Sequence, residues 1–178
     1  MKPETQDIDA RAQRIKLLLM DCDGVLTDGR LILLPGGDEQ KTFHARDGQG
    51  IKLCERAGLQ TGIISGRASG AVERRVLELG MTYVRQNQKN KIKAFEELLA
   101  QAKVSAHECA FIGDDLPDIP VMRRVGFAVA VADAVVETKQ AAHYVTKVAG
   151  GRGAVREVTD LILKAQGGWE ELMKRYMQ

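Results

Sequence analysis

Short apolar runs alternate with stretches of helical periodicity along most of this chain. Leu17–Met20, Leu59–Ile64, Cys109–Ile112 and Phe127–Val131 are mostly apolar and bounded by polar residues. That pattern predicts strands buried on both faces, as in a parallel sheet. Tyr144–Val145 and Thr82–Val84 are shorter candidates of the same kind. Between them, helices are predicted over Gly50–Ala57 and Ser69–Leu79, closed by Gly58 and Gly80, and over Ala154–Ala165. Lys91–Ala102 repeats Ile92, Phe95, Leu98 and Leu99 at helical spacing behind the capping residue Asn90. Asp133 is placed to cap Ala134–Ala142, and Pro117 to open a short helix. Arg30–Leu34, Pro35-Gly-Gly-Asp38 and Glu39–His44 read as a β-hairpin.

These elements predict an α/β fold: a three-layer, Rossmann-like, mostly parallel sheet with helices on both faces and a small hairpin flap. The domain is expected over 15–166, with the flap at about 30–44. Residues 1–14 form an N-terminal extension and 167–178 a tail. In the tail, Trp169, Leu172, Met173 and Tyr176 are spaced to share one helix face, which either docks on its own domain or reaches a neighbouring subunit's site.

Composition narrows the function classes. A chain of 178 residues, 44% hydrophobic and 28% charged, suits one α/β domain. With 26 Lys+Arg against 24 Asp+Glu and only 4% aromatic residues, nothing favours nucleic acid or a membrane surface as partner. Cys22, Cys54 and Cys109 are odd in number and far apart, which argues against a disulfide framework and for a reducing, cytoplasmic setting. None is followed six residues later by Arg, which excludes the Cys-x5-Arg pattern of cysteine phosphatases. Met1–Arg14 is polar and does not read as a secretory signal, and no apolar stretch approaches membrane-spanning length.

The chemistry gathers where strands end. Leu17–Met20 runs into Asp21-Cys-Asp23-Gly24, whose two carboxylates point to one side while Cys22 points to the other. Ligands of open α/β sheets bind beyond the carboxyl ends of the strands. Leu59–Ile64 ends in Ser65-Gly66-Arg67, and Cys109–Ile112 ends in Gly113-Asp114-Asp115. Taken singly, each feature has a structural reading as a turn, a helix cap or a solvated lysine. Taken together with Lys91, they put a nucleophile, a proton shuttle, a cation and metal ligands on one edge. Gly150-Gly-Arg152-Gly153 lacks the spacing of a dinucleotide fingerprint and reads as a loop before a helix.

Four segments resemble the motifs of the haloacid dehalogenase superfamily of phosphohydrolases: Asp21-Cys-Asp23-Gly-Val-Leu-Thr27, Ile63-Ile-Ser65-Gly66, Lys91, and Gly113-Asp114-Asp115 with Asp118. The resemblance implies that Asp21 is the nucleophile that forms an aspartyl-phosphate and that Asp23 is the acid/base. It implies Mg²⁺ held by Asp21, Asp114 and the main-chain carbonyl of Asp23. Ser65 and Lys91 would contact phosphoryl oxygens, with Lys89 as the alternative lysine, while Asp115 and Asp118 would support Lys91 and bound water.

Members of that superfamily select substrates with an inserted cap domain, and this chain has no room for one. Only a hairpin and a short helix fit between Gly29 and Gln60, and the 26 positions from Ser65 to Lys91 are already occupied by predicted elements. The resemblance is therefore to the capless branch, in which neighbouring subunits wall the site and the hairpins form a tetramer. Leu31-Ile-Leu-Leu34 on the flap agrees, since four exposed apolar residues call for an interface.

More closely, the chain resembles the 3-deoxy-D-manno-octulosonate 8-phosphate phosphatases over roughly residues 15 to 166, through Phe43-His-Ala-Arg-Asp47-Gly48, Ile64-Ser-Gly-Arg67, Val129-Ala-Val-Ala-Asp133, Tyr144-Val-Thr and Gly150-Gly-Arg-Gly-Ala-Val-Arg-Glu157. This implies release of phosphate from an eight-carbon sugar acid phosphate in lipopolysaccharide sugar biosynthesis. Arg67, Arg46 and Arg152 are candidates for its carboxylate, and Gly66 and Thr27 complete the substrate-binding set. The alternatives are a phosphatase for a nine-carbon sugar acid phosphate and a non-catalytic oligomerisation module.

Overall fold

The computed structural model of the chain describes residues 3–36 and 39–177. Six strands, β1 (Leu17–Met20), β4 (Gln60–Ile64), β5 (Tyr83–Arg85), β6 (Cys109–Gly113), β7 (Phe127–Ala130) and β8 (Tyr144–Val145), form one sheet in the order β5-β4-β1-β6-β7-β8, with every pair parallel. Each residue of β1, β6 and β7 is buried, as strands apolar on both faces require. From β1 the chain adds strands first on one side and then on the other. The topological switch point therefore falls at the carboxyl end of β1, where a crevice opens.

Seven of the helices are α1 (Pro3–Gln13), α2 (Ala45–Arg56), α3 (Gly70–Leu79), α4 (Lys91–Ala102), α5 (Ile119–Met122), α6 (Val136–Gln140) and α7 (Ala154–Ala165). α2 packs between α3 and α7, and α7 continues onto α1; α4 packs on α5. Asn90 caps α4 by accepting from Ile92 N at 3.1 Å, and Gly80 closes α3 in the left-handed conformation. Both follow their sequence signals.

Several expectations are corrected. α2 begins at Ala45 rather than Gly50, because its glycines serve close packing. A Cβ on Gly48 would lie 2.2 Å from Arg75 Nη2, and one on Gly50 would lie 2.3 Å from Thr159 Oγ1. Helix propensity penalises both glycines, yet only they let α3 and α7 approach. α6 is shorter than Ala134–Ala142, and Asp133 does not cap it; the carboxylate accepts from Gly150 N at 2.9 Å instead. The hairpin is reduced to β2 (Ile32–Leu33) and β3 (Glu39–Gln40), since Lys41 turns inward toward Asp23. Gly37 and Asp38 of its predicted turn, like Met1 and Lys2 of the extension, lie outside the described residues.

Both terminal segments, over their described residues, lie along the domain. Ala12 and Ile15 are buried, Arg11 donates to Gly126 O at 2.9 Å, and Gln166 donates to Ile15 O at 2.7 Å. α8 (Trp169–Lys174) packs Trp169, Leu172 and Met173 against the same core. The Tyr176 hydroxyl accepts from Gln49 at 2.7 Å and Arg56 at 2.9 Å. The tail thus docks on its own domain.

Candidate active site

The register aligns the ends of the central strands. Met20 pairs with Ile63 on one side and Ile112 on the other, so Asp21, Ser65 and Asp114 emerge at the same edge. The Asp21 amide still donates to Ile112 O at 3.0 Å, which fixes the backbone at that point. Cys22 is fully buried, its thiol pushed up out of reach by burial among acidic neighbours.

Beyond Asp21 the chain folds into a tight turn in which Cys22 O accepts from Leu26 N at 2.9 Å and Thr27 N at 3.1 Å. Thr27, expected to bind substrate, is committed to this turn: its hydroxyl accepts from Gly24 N and Gly29 N and donates to Cys22 O. Gly24 has a φ of 94°, and a Cβ there would lie 2.0 Å from Asp114 Oδ2. From outside, Gly150 leans so close that a Cβ would lie 1.6 Å from Gly24 O, and Gly151 N donates to Val25 O at 2.9 Å. The Gly150-Gly-Arg-Gly segment is therefore a buttress for the Asp21–Asp23 turn. Its far end is held by Asp47, a buried carboxylate accepting from Gly153 N at 3.2 Å and Arg156 N at 2.8 Å.

At the centre, the Lys91 ammonium donates to Asp21 Oδ1 at 2.7 Å and Asp118 Oδ1 at 2.6 Å, with all three side chains buried. The other Asp118 oxygen accepts from Asp114 N at 3.0 Å. Asp118 thus holds both the lysine and the loop after β6. Asp115 is exposed and caps the turn at Leu116–Asp118, accepting from Leu116 N at 2.8 Å. Ser65 is buried, its Oγ accepting from Arg67 N at 3.3 Å.

Three carboxylates face one ammonium. Asp21, Asp114 and Asp118 each offer an oxygen within 4.8 Å of the others, and Asp114 Oδ1 is buried with no hydrogen-bond partner among the described residues. Burial, then the charges of Asp21 and Asp118, push the Asp114 carboxyl up to about 8. Burial likewise raises Asp21 in spite of Lys91 beside it. Burial pulls Lys91 down, but Asp21 and Asp118 outweigh it and the net shift is upward. Such an all-oxygen, over-acidic cluster fits a hard divalent cation such as Mg²⁺. Asp21 and Asp114 are the better ligands, because both Asp118 oxygens are already engaged. The Asp23 side chain points elsewhere, to Lys41, so a contribution from Asp23 falls to its main chain.

A cavity of about 300 Å³ opens over this centre, lined among others by Asp21, Asp23, Ser65, Gly66, Arg67 and Lys89. Of the three candidate arginines only Arg67 borders it. Arg46 is exposed outside the lining, and Arg152 pairs with Asp28 at 3.2 Å. Arg67 itself donates to Glu39 Oε2 at 2.7 Å. Sequence reasoning missed Glu39 and Lys41, whose only signal was a charged pair two residues apart on a flap, and it gave Asp47 no role.

Comparison with known proteins agrees with this geometry. A family model described as haloacid dehalogenase-like hydrolase matches residues 80–158. The 3-deoxy-D-manno-octulosonate 8-phosphate phosphatase KdsC of Escherichia coli K12 is 47% identical over 169 residues, covering 95% of this chain and 90% of that protein. The crystal structure of the Yersinia pestis phosphatase of the same name has a TM-score of 0.90 at 47% identity, covering 92% of this chain and 89% of that one. The Moraxella catarrhalis phosphatase, solved with magnesium, phosphate and a KDO molecule, has a TM-score of 0.93 at 39% identity, covering 96% and 98%. The chain belongs to the 3-deoxy-D-manno-octulosonate 8-phosphate phosphatases of the haloacid dehalogenase superfamily.

Proposed function

We propose that the protein hydrolyses 3-deoxy-D-manno-octulosonate 8-phosphate, in a Mg²⁺-dependent reaction that passes through a phosphorylated Asp21. The observation that carries this reading is the buried Lys91–Asp21–Asp118 constellation beside Asp114 at the carboxyl end of β1. Mg²⁺, held by Asp21 and Asp114, supplies the positive charge that lets two anions meet. The Asp21 carboxylate attacks phosphorus as the bond to the sugar oxygen breaks, and the leaving alkoxide takes a proton from Asp23. Asp23 then accepts a proton from water, whose oxygen displaces Asp21 from phosphorus and yields inorganic phosphate. Lys91 and Ser65 stabilise the equatorial oxygens, over which transition-state charge is spread. Arg67, the one candidate arginine that borders the cavity, takes the substrate carboxylate through guanidinium N–H groups that Glu39 does not engage.

The open cavity and the flap support an assembly of subunits, for which we propose a tetramer. Leu31, Ile32, Leu33 and Leu34 are all exposed on the flap, an apolar surface that a second copy of the chain would cover. A cytoplasmic location is in keeping with three buried free thiols, and no helix among the described residues is long and apolar enough to cross a membrane. Acid-quenching the enzyme during turnover tests the chemistry. Peptide mass mapping is expected to find the phosphoryl group on Asp21, and a phosphoryl group on any other residue would refute the mechanism.

A further inference from the structure

Lys41 lies outside the reaction as described, yet it is a buried cation at the site. Its side chain is 3% exposed, and its ammonium pairs with Asp23 Oδ1 and sits 3.1 Å from Glu39 Oε1. Glu39 in turn accepts from Arg67, whose Nε is 3.7 Å from the other Asp23 oxygen. The four side chains close a ring, Asp23–Lys41–Glu39–Arg67, that joins the turn after β1, the flap and the loop after β4. Burying a lysine costs free energy unless it is paired, so this placement is built in rather than incidental.

We propose that Lys41 is a positioning residue for the acid/base. By donating to Asp23 Oδ1 it fixes the rotation of the carboxylate and leaves Oδ2, on the Arg67 side, as the oxygen that exchanges protons. The N–H that the ammonium donates to Oδ1 bars a proton from that oxygen, so the proton that reaches the leaving alkoxide comes from Oδ2. The same Oδ2 later takes the proton of the attacking water. Glu39, on β3, holds Lys41 in place, so the flap reaches the proton transfer directly through Lys41 and indirectly through the Glu39–Arg67 pair. The inference rests on the acid/base reading of Asp23.

The two half-reactions separate the role. p-Nitrophenolate leaves without help from an acid, so forming the phosphoenzyme from p-nitrophenyl phosphate does not need an oriented Asp23, whereas hydrolysing it does. Lys41→Met is therefore expected to lower kcat on the sugar acid phosphate about 100-fold, the scale of a catalytic group displaced by about an ångström. With p-nitrophenyl phosphate it should release one fast equivalent of nitrophenolate and accumulate phosphorylated protein. Lys41→Arg, which keeps the charge, should recover most of the loss, and Glu39→Gln should show a weaker form of the same pattern. Loss of the fast phase in Lys41→Met, or unchanged turnover on the sugar acid phosphate, would overturn the inference. Asp23→Asn run in parallel isolates the underlying reading: full turnover there removes Asp23 as the acid/base, whatever Lys41 does.

Discussion

Asp21, Asp114 and Asp118 meet around one lysine, and that imbalance is the clearest physical signature of the site. With Asp21 and Asp114 held above the ordinary carboxylate range, these two carboxyls bind more protons in the folded protein than in the unfolded chain from about pH 4 up to the Asp114 value of about 8. Their contribution to the stability of the metal-free protein therefore falls as pH rises through that window. Mg²⁺ binds the ionised carboxylates, so it is expected to raise Tm more near pH 8 than near pH 5. Thermal melts with and without Mg²⁺ at the two ends of the window check this; an equal shift at both would contradict it. Arg67 makes a separate prediction. Arg67→Ala should raise KM for the sugar acid phosphate far more than for p-nitrophenyl phosphate, which has no carboxylate to bind. Equal losses on both would place the guanidinium at the phosphate.

Elements were legible where burial and chemistry pointed the same way. β1, β6 and β7 are apolar on both faces, and the residues just beyond β1 and β6 announce the site. α4 carries both a cap and an apolar stripe. Reading failed where a residue is chosen for something far away in the chain. Gly48 and Gly50 look like helix breakers until α3 and α7 are seen to press on them, and Asp133 looks like a helix cap until it is seen holding Gly150. Thr27 and Arg152 were assigned to substrate from their neighbourhood in sequence; in the structure the Thr27 hydroxyl is held within the turn, and Arg152 pairs with Asp28 outside the cavity lining.

The long-range support gives two expectations. Asp47→Ala removes the acceptor for two buried amides of the buttress and should destabilise the fold by about 1–3 kcal/mol in denaturant titrations. Gly150→Ala forces a methyl group onto Gly24 O and should sharply lower kcat, measured by steady-state phosphate release. Wild-type stability in the first, or wild-type turnover in the second, would show that the Gly150–Gly153 segment does not support the site.

On the scale of the whole molecule, the site is a cavity of about 300 Å³ at a switch point, and the described residues include no inserted cap domain over it. In the proposed assembly, a neighbouring copy covering the exposed leucines of the flap would supply the enclosure. Leu33, 73% exposed on a two-residue strand, is the most accessible of them. Leu33→Asp should shift the protein to a smaller species in light scattering and raise KM, while an unchanged mass would remove the flap from the assembly. The substrate assignment is tested most directly by Mg²⁺-dependent phosphate release from a panel of sugar phosphates that includes the eight- and nine-carbon acids, with Asp21→Asn as control. The highest kcat/KM is expected for the eight-carbon acid phosphate, with no release by the variant. A preference for the nine-carbon acid, or even activity across the panel, would contradict it.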